Sequence, residues 1–261
     1  MKRSRSFVEK RRDEIATLVE RRGKISVNEL AETFGVSPLT IRRDLAWLEE
    51  QSIVRRSYGM VTLVNPMGRP SGSKRIRANK AIAQVAAQFV EDGDSIFINT
   101  SSTAMGIIDY IEAKDVTVIT NNSKAPRLPD RPNITVLLTG GEIREGRSSL
   151  TGALAVSCIE RVSATKCFIG CSGLTPERGL TAATSPEPPV NALMIQQSEQ
   201  HFVLADSSKL TYSAGFQFGT PDDVDVLITD DSATDAQVSA LEDAGVGRII
   251  RAHATTPQAG D

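Results

Sequence analysis

Apolar residues recur at helical spacing through the first fifty positions and in short continuous runs after position 90, so the chain changes character along its length. Phe7, Ile15, Leu18 and Val19 fall on one face of a helix predicted over Phe7–Arg21, which Gly23 stops. Ser26-Val27-Asn28-Glu29 reads as a capping box opening a short helix with Val27, Leu30, Ala31 and Phe34 on its apolar side. Gly35 ends that helix, because glycine tolerates the left-handed backbone of a tight turn. Ser37 as N-cap and Pro38 at the first helical position start a third helix, with Ile41, Leu45 and Leu48 facing inward. Two extended runs, Ile53–Arg56 and Met60–Val64, joined through Ser57-Tyr58-Gly59, predict a small β-hairpin.

Asn65–Ser73, with two Pro, two Gly and two Ser, reads as a linker. Beyond Lys74, apolar strand candidates alternate with helices. The strands are Ser95–Ile98, Val116–Ile119, Ile134–Leu138, Lys166–Ile169, Phe202–Leu204, Val226–Ile228 and Arg248–Ile250. Ala78–Val90, Thr103–Ile111, Leu154–Val162 and Val190–Ser198 are helical stretches between them. Continuous apolar strands imply a sheet buried on both faces, hence a parallel or mixed α/β sheet covered by helices. The expected organisation is a winged helix-turn-helix over 1–64, a linker over 65–73, an α/β domain over 74–251 and a flexible tail over 252–261.

Charge sharpens that division. Residues 1–80 carry 18 Lys/Arg against 9 Asp/Glu, a net +9, whereas the remainder carries 12 against 23, a net −11. A basic head on an acidic body points to a polyanion partner for the head alone. Cys158, Cys167 and Cys171 make no disulfide framework, and His201 and His253 form no cluster with them. No cofactor or metal is implied, and the thiols read as buried structural groups. The basic start is not followed by an apolar run, and no stretch reaches bilayer length, so a cytoplasmic protein with no membrane partner is expected.

Burying Ile41, Leu45 and Leu48 leaves Leu39, Arg42, Arg43 and Ala46 towards solvent, where they can enter a major groove; arginine grips guanine O6 and N7 bidentately. Ser37 and Thr40 at the helix N-terminus suit a phosphate, and Arg55, Arg56 and Tyr58 on the wing can reach the DNA backbone or minor groove. The competing reading is that Arg42 or Arg43 pairs with Glu49 or Glu50 and that Ser37 and Thr40 only cap; Asp44 is read as structural. The run Val36-Ser37-Pro38-Leu39-Thr40-Ile41-Arg42-Arg43-Asp44-Leu45, with Glu29-Leu30-Ala31 before it and Leu48-Glu49 after it, resembles the DeoR family of regulators. The family's usual His-Gly-Gly wing tip stands here as Tyr58-Gly59-Met60.

Several predicted strands end in small polar loops: Asn99–Thr103, Thr120–Ser123, Thr139–Glu142, Gly170–Gly173 and Asp206–Lys209. Open α/β sheets bind ligands at the carboxyl ends of their strands, and small residues let backbone N–H groups approach an anion. Lys209 supplies a positive charge. The resemblance continues here, through Val118-Ile119-Thr120-Asn121, Thr139-Gly140-Gly141 and Leu204–Lys209, to the DeoR-type sensor domain, whose fold is similar to the sugar-phosphate isomerase and CoA-transferase fold. It implies that Ser101, Ser102 and Thr103 hold a phosphate, that Asn121, Gly140, Gly141, Asp206 and Lys209 line the pocket, and that Glu187 is a matching acidic position. The chain departs from the pattern where Asn99 stands for Asp, Ser101 for Gly and Asn191 for Lys, and where Ser185–Pro189 holds three prolines.

These readings imply a DNA-binding transcription regulator, and the resemblance implies a repressor of carbohydrate-metabolism genes released by a phosphorylated sugar. Its partners are a double-stranded DNA operator, a small-molecule effector, and further copies of the chain in a homodimer or homotetramer. The alternatives are a sugar-phosphate isomerase-like enzyme fused to a DNA-binding head, using Asp206 or Glu187 as base, a regulator sensing a non-phosphorylated ligand, and a DNA-bound scaffold whose pocket has lapsed.

Overall fold

The computed structural model describes residues 5–50, 53–63, 72–127, 131–144 and 147–253. The chain divides into two compact units, 1–77 and 78–261. The expected linker lies mostly outside the described residues; residues 72 and 73 open the first helix of the second stretch.

In the head, α1 (Arg5–Arg22), α2 (Val27–Phe34) and α3 (Pro38–Glu50) close over a three-stranded antiparallel sheet of β1 (Lys24–Ser26), β2 (Val54–Ser57) and β3 (Met60–Leu63), in the order β1-β3-β2. Ile15, Val19, Leu30, Ile41, Leu45, Leu48 and Val61 are fully buried together, so the three helical periods read in the sequence meet in one core. The short strand β1 was not expected; three residues, the last of them the N-cap Ser26, carry too little pattern to declare it. Its Ile25 faces Val61 of β3 and is buried.

The second stretch begins with α4 (Gly72–Ala87), within which the unit boundary falls. The elements that follow are β4 (Ser95–Ile98), α5 (Ser102–Met105), β5 (Val116–Thr120), β6 (Ile134–Leu138), β7 (Glu142–Ile143), β8 (Leu150–Thr151), α6 (Ala153–Ile159), β9 (Ala164–Ile169), β10 (Gly173–Thr175), β11 (Gly179–Ala182), α7 (Pro188–Gln196), β12 (Ser198–Leu204), β13 (Phe216–Gly219), β14 (Val226–Asp230), α8 (Asp235–Asp243) and β15 (Arg248–Ala252). All seven predicted strands enter one sheet, ordered β15-β14-β12-β9-β4-β5-β6, and every pair in it is parallel. The small sheets β10-β11-β13 and β7-β8 were not expected, being too short or too broken to show a period. The helix expected over Thr103–Ile111 is one α-turn followed by a 3-10 turn from Gly106. Ala252, assigned to the tail from the sequence, ends β15 opposite Asp230 and is buried; residues 254–261 lie outside the described residues.

Alternate residues of the central strands feed two cores. Phe97, Ile119, Cys167 and Val203 face one, with α6 and α7. Ile96, Ile98, Val118, Phe168 and Leu204 face the other, with Ile82 and Ala86 of α4 and Ile107. Burial on both faces therefore holds for the central strands. It fails for β6, whose Thr135, Val136, Leu137 and Leu138 are all exposed. The apolar run was legible, but its position at the sheet edge was not.

β4 and β9 are fastened at their amino ends by a buried ion pair. Lys166 Nζ lies 2.7 Å from Asp94 Oδ2, and Thr165 donates to Asp94 Oδ1 at 2.7 Å. Burial by itself would raise the pKa of Asp94, but the Glu91 backbone N–H, Lys166 and Thr165 outweigh it and hold the carboxyl below its usual range. A depressed carboxylate contributes stability that is complete above its unfolded pKa and lost as pH falls through the folded one. Asp94→Asn is expected to cost about 3 kcal/mol, because it leaves the buried ammonium only the exposed Glu91 carboxylate at 3.4 Å. It should also flatten the acid limb of the stability-against-pH curve, measured by urea denaturation across pH 3–7; an unchanged acid limb would remove Asp94 from that role.

Candidate DNA-reading surface and effector site

The head presents its third helix through a sequence of caps. Ser26 Oγ accepts from Glu29 N–H at 3.2 Å and Glu29 Oε2 accepts from Ser26 N–H at 2.8 Å, so the capping box is complete and the Glu29 pKa is lowered by those bonds. Gly35, at φ 58°, turns the chain, and its N–H donates back to Ala31 and Glu32. Ser37 Oγ accepts from Thr40 N–H at 3.2 Å and lies 3.0 Å from Thr40 Oγ1, so both hydroxyls serve the cap. Leu39, Arg42 and Arg43 are exposed, as the buried stripe requires, and neither arginine has an ion-pair partner among the described residues.

Glu49, the acid set against those arginines in the competing reading, is engaged elsewhere. It accepts from the Arg56 backbone N–H at 2.7 Å and pairs with the Arg56 guanidinium at 2.6 Å. Arg56 is therefore a brace between wing and helix, while Arg55 is exposed and the fully exposed Tyr58 stands at the tip. Tyr58 and Gly59, at φ 50° and 74°, make the two-residue turn whose twist suits a hairpin. Asp44 is buried and receives Arg11 Nε at 2.7 Å and Arg12 Nε at 3.1 Å, with the Arg12 guanidinium 4.6 Å from the Trp47 ring centroid. Asp44 was read as structural, but its two partners on α1 were missed; the consecutive Arg11-Arg12 in a helix otherwise read by its apolar face was the available signal.

In the body the polar loops gather at the carboxyl ends of the parallel strands. The chain runs outward from β4 through β5 to β6 and then returns to the other side of β4 with β9. The order therefore reverses between β4 and β9, the position where open sheets leave a crevice. Asn99 ties the two strands together at that position. Its Oδ1 accepts from Gly170 N–H and Ser101 N–H, both at 3.1 Å, and its Nδ2 donates to Gly170 O at 2.8 Å and Asn191 Oδ1 at 3.3 Å. Asn99 and Asn191, two departures read separately in the sequence, are thus partners. Ser101, the third departure, sits so close that a Cβ on residue 170 would lie 1.9 Å from its Oγ, so glycine is required there. Ser102 is half-buried and Thr103 buried beside it.

Asn121 is fully buried and exchanges bonds with Leu150, its Nδ2 donating to Leu150 O at 3.1 Å and its backbone carbonyl accepting from Leu150 N–H at 2.7 Å; Asn121 Oδ1 has no hydrogen-bond partner among the described residues. The adjoining Ser149 donates to Glu187 at 3.2 Å, which brings the acidic position to the β5 loop. Gly140 and Gly141 both carry positive φ at the end of β6. Asp206 accepts from the Ser208 N–H and hydroxyl and lies 4.0 Å from Lys209 Nζ, so that cation is already balanced. Ser207 donates to Asp230 through N–H at 2.6 Å and Oγ at 3.2 Å, contacts the sequence did not suggest. Among the described residues no group of three His, Cys, Asp or Glu is placed to hold a metal, and no helix is long and apolar enough to cross a membrane.

Residues 11–67 match the DeoR-like helix-turn-helix domain and residues 74–231 match the DeoR C terminal sensor domain. The chain belongs to the DeoR family. It is 35% identical over 91% of its length to the HTH-type transcriptional regulator YulB of Bacillus subtilis, covering 94% of that protein. It is 30% identical over 94% of its length to the HTH-type transcriptional repressor GlcR of the same organism, covering 96% of it. A crystal structure of ribose 5 phosphate isomerase A from Neisseria gonorrhoeae aligns with 50% of the chain and 52% of its own, at 18% identity and a TM-score of 0.37. The protein is a DNA-binding transcription regulator with a helix-turn-helix head and a parallel α/β sensor domain.

Two outcomes follow for this DeoR-family chain. Arg42→Ala with Arg43→Ala should weaken operator binding by about 2–6 kcal/mol if each arginine reads a base. Arg56→Ala should cost less binding and more head stability, because it breaks the brace; gel-shift titration beside thermal melting separates the two, and the reverse ranking would contradict the assignment. Burial raises the Cys167 thiol to about 12 and the Cys171 thiol to about 11. Neither is then thiolate at pH 8, and both should resist a disulfide-exchange reagent until the protein is denatured. Rapid labelling of either in the native chain, mapped by mass spectrometry, would show that the sheet opens there.

Proposed function

We propose that this regulator represses carbohydrate genes and is released from its operator by a sugar phosphate or related polyol bound at the carboxyl ends of the strands flanking the β4–β9 reversal. One observation carries the reading: the buried Asn121 Oδ1, an acceptor with no partner among the described residues, stands among the hydroxyl-rich loops that end neighbouring strands. A buried carbonyl in that state costs free energy until a donor reaches it, and a ligand hydroxyl is such a donor. Ser102 and Lys209 supply further polar contact, and a phosphate would compete with Asp206 for the Lys209 ammonium. The names of relatives such as GlcR, a repressor, and the putative aga operon transcriptional repressor of Escherichia coli O157:H7 support the sign of control.

The domain reading places DNA contact in 1–64, with Ser37, Leu39, Thr40, Arg42, Arg43, Arg55 and Tyr58 at the interface and Arg56 supporting it. Regulation without catalysis fits the carboxylates. Asp206 is engaged by Ser208, and Glu187 by Ser149, so neither is poised as a base over a substrate carbon. Linkage then requires operator DNA to weaken effector binding by the factor through which effector weakens operator binding.

Calorimetry with a panel of sugar phosphates and their free polyols tests this. Wild type is expected to bind one of them, and Lys209→Ala with Ser102→Ala to bind it at least about 10-fold more weakly. Loss confined to the phosphorylated ligands assigns Lys209 to the phosphate. Equal loss for both assigns the pair to the sugar. Unchanged binding puts the pocket elsewhere, and saturating effector with no change in gel shift defeats the control mechanism.

A further inference from the structure

We propose that β6 is a self-association edge, through which two copies of the chain pair antiparallel across a two-fold axis and continue one parallel sheet into the other. The inference rests on the regulator reading only in that two operator half-sites ask for two heads.

The two edges of the seven-stranded sheet differ. β15 carries Arg248 and Arg251, the latter 2.6 Å from Asp235, and charged edges of this kind block further strand addition. β6 reads Ile134-Thr135-Val136-Leu137-Leu138, with no charged residue and no proline. Its exposed side chains lie on both faces. Val136 aligns with Val118, which feeds the α4 core, and Leu137 with Ile119, which feeds the α6 core. Exposure on both faces suits a strand added alongside β6 better than a helix laid on one face.

Backbone geometry agrees. The Val116 N–H donates to Asn133 O and the Thr139 N–H to Thr120 O, so odd-numbered residues of this stretch turn their peptide groups to β5. Val136 and Leu138 turn theirs outward. A two-fold axis through Val136 sets Val136 opposite its copy and Leu138 opposite Ile134, each a hydrogen-bonding pair.

The chemistry selects the occupant. An uncharged apolar strand is complementary to another such strand, and β6 is its own nearest match, as an isologous contact needs. Val136, Leu137, Leu138, Ile143 and Leu154, each exposing between 37% and 72% of its surface, lie on β6, the adjoining hairpin and the first turn of α6. Together they present on the order of 400 Å² of apolar surface, comparable to the largest patch of an ordinary monomer and about half of one side of a standard interface. Backbone edge and polar rim supply the remainder.

Sedimentation velocity on the full chain tests the proposal. Wild type is expected to sediment as a dimer or a multiple of one. Val136→Lys with Leu138→Lys is expected to sediment as a monomer, with self-association weakened about 100-fold or more and a cooperative melt retained. A cysteine at Val136, in a Cys158→Ser background, is expected to cross-link two copies under mild oxidation, since hydrogen-bonded antiparallel residues lie within disulfide reach. A cysteine at Arg251 on the opposite edge is not. The cross-link decides the matter if the lysine variant fails to fold. A monomeric wild type, a double-lysine variant of unchanged mass, or equal cross-linking at both edges would each overturn the proposal. Gel shift on a single half-site keeps the regulator reading separate: wild type and the monomeric variant should bind it equally, and failure of wild type there counts against the head instead.

Discussion

The body depends on one long-range contact, the seating of β9 against β4. These strands lie some seventy residues apart in sequence, and their pairing makes the chain reverse its direction of travel across the sheet. The contact is fixed at both ends by different chemistry. At the amino end Lys166 and Asp94 form a buried ion pair, strong but dependent on both charges. At the carboxyl end Asn99 spends its oxygen and its amide on Gly170, Ser101 and Asn191, a neutral clamp that puts no fixed charge there. The polar loop after β4 is thereby held at a fixed distance from its neighbour across the reversal.

The same economy appears in the head. The net +9 of residues 1–80 suggests a broad cationic face, yet several of those charges have internal work. Arg11 and Arg12 converge on the buried Asp44, and Arg56 on Glu49. Asp44 follows directly on Arg42 and Arg43 in α3, so anchoring it to α1 fixes the rotation of the helix and turns the two arginines outward. Removing that carboxylate would leave two guanidinium groups without their acid and let the reading face roll.

The head was legible almost residue by residue because its signals are local: a complete capping box, a left-handed glycine, an N-cap serine and a helical apolar period. The seven parallel strands were legible as apolar runs, but their order was not, since order depends on pairings across the chain. That is why β6 read as buried when it lies at the edge. The polar loops do lie at the carboxyl ends of strands, because every pair in the large sheet is parallel. The roles within them were harder to read. Asn99 and Asn191 were two isolated departures until the fold brought them into contact, and Lys209 carried a free charge until Asp206 stood beside it. A sequence shows which groups are present; whether a polar group is spent internally or kept for a ligand is decided by partners far away in the chain.

That distinction bears on how strongly an effector can act. Moving a regulator from almost wholly DNA-competent to almost wholly released takes about 5.5 kcal/mol of differential binding. One small ligand meeting a neutral clamp, a hydroxyl loop and a lysine already balanced by Asp206 is poorly equipped to supply all of it. In a paired protein two effector sites act on the same equilibrium, and each needs about 2.7 kcal/mol, roughly a 100-fold preference for the released state. A half-satisfied polar site can reach that figure if the ligand supplies the donor that Asn121 Oδ1 lacks and draws Lys209 away from Asp206 in one state only. A neutral crevice and an associating sheet edge are therefore complementary features: the first keeps each binding event modest, and the second makes two modest events sufficient.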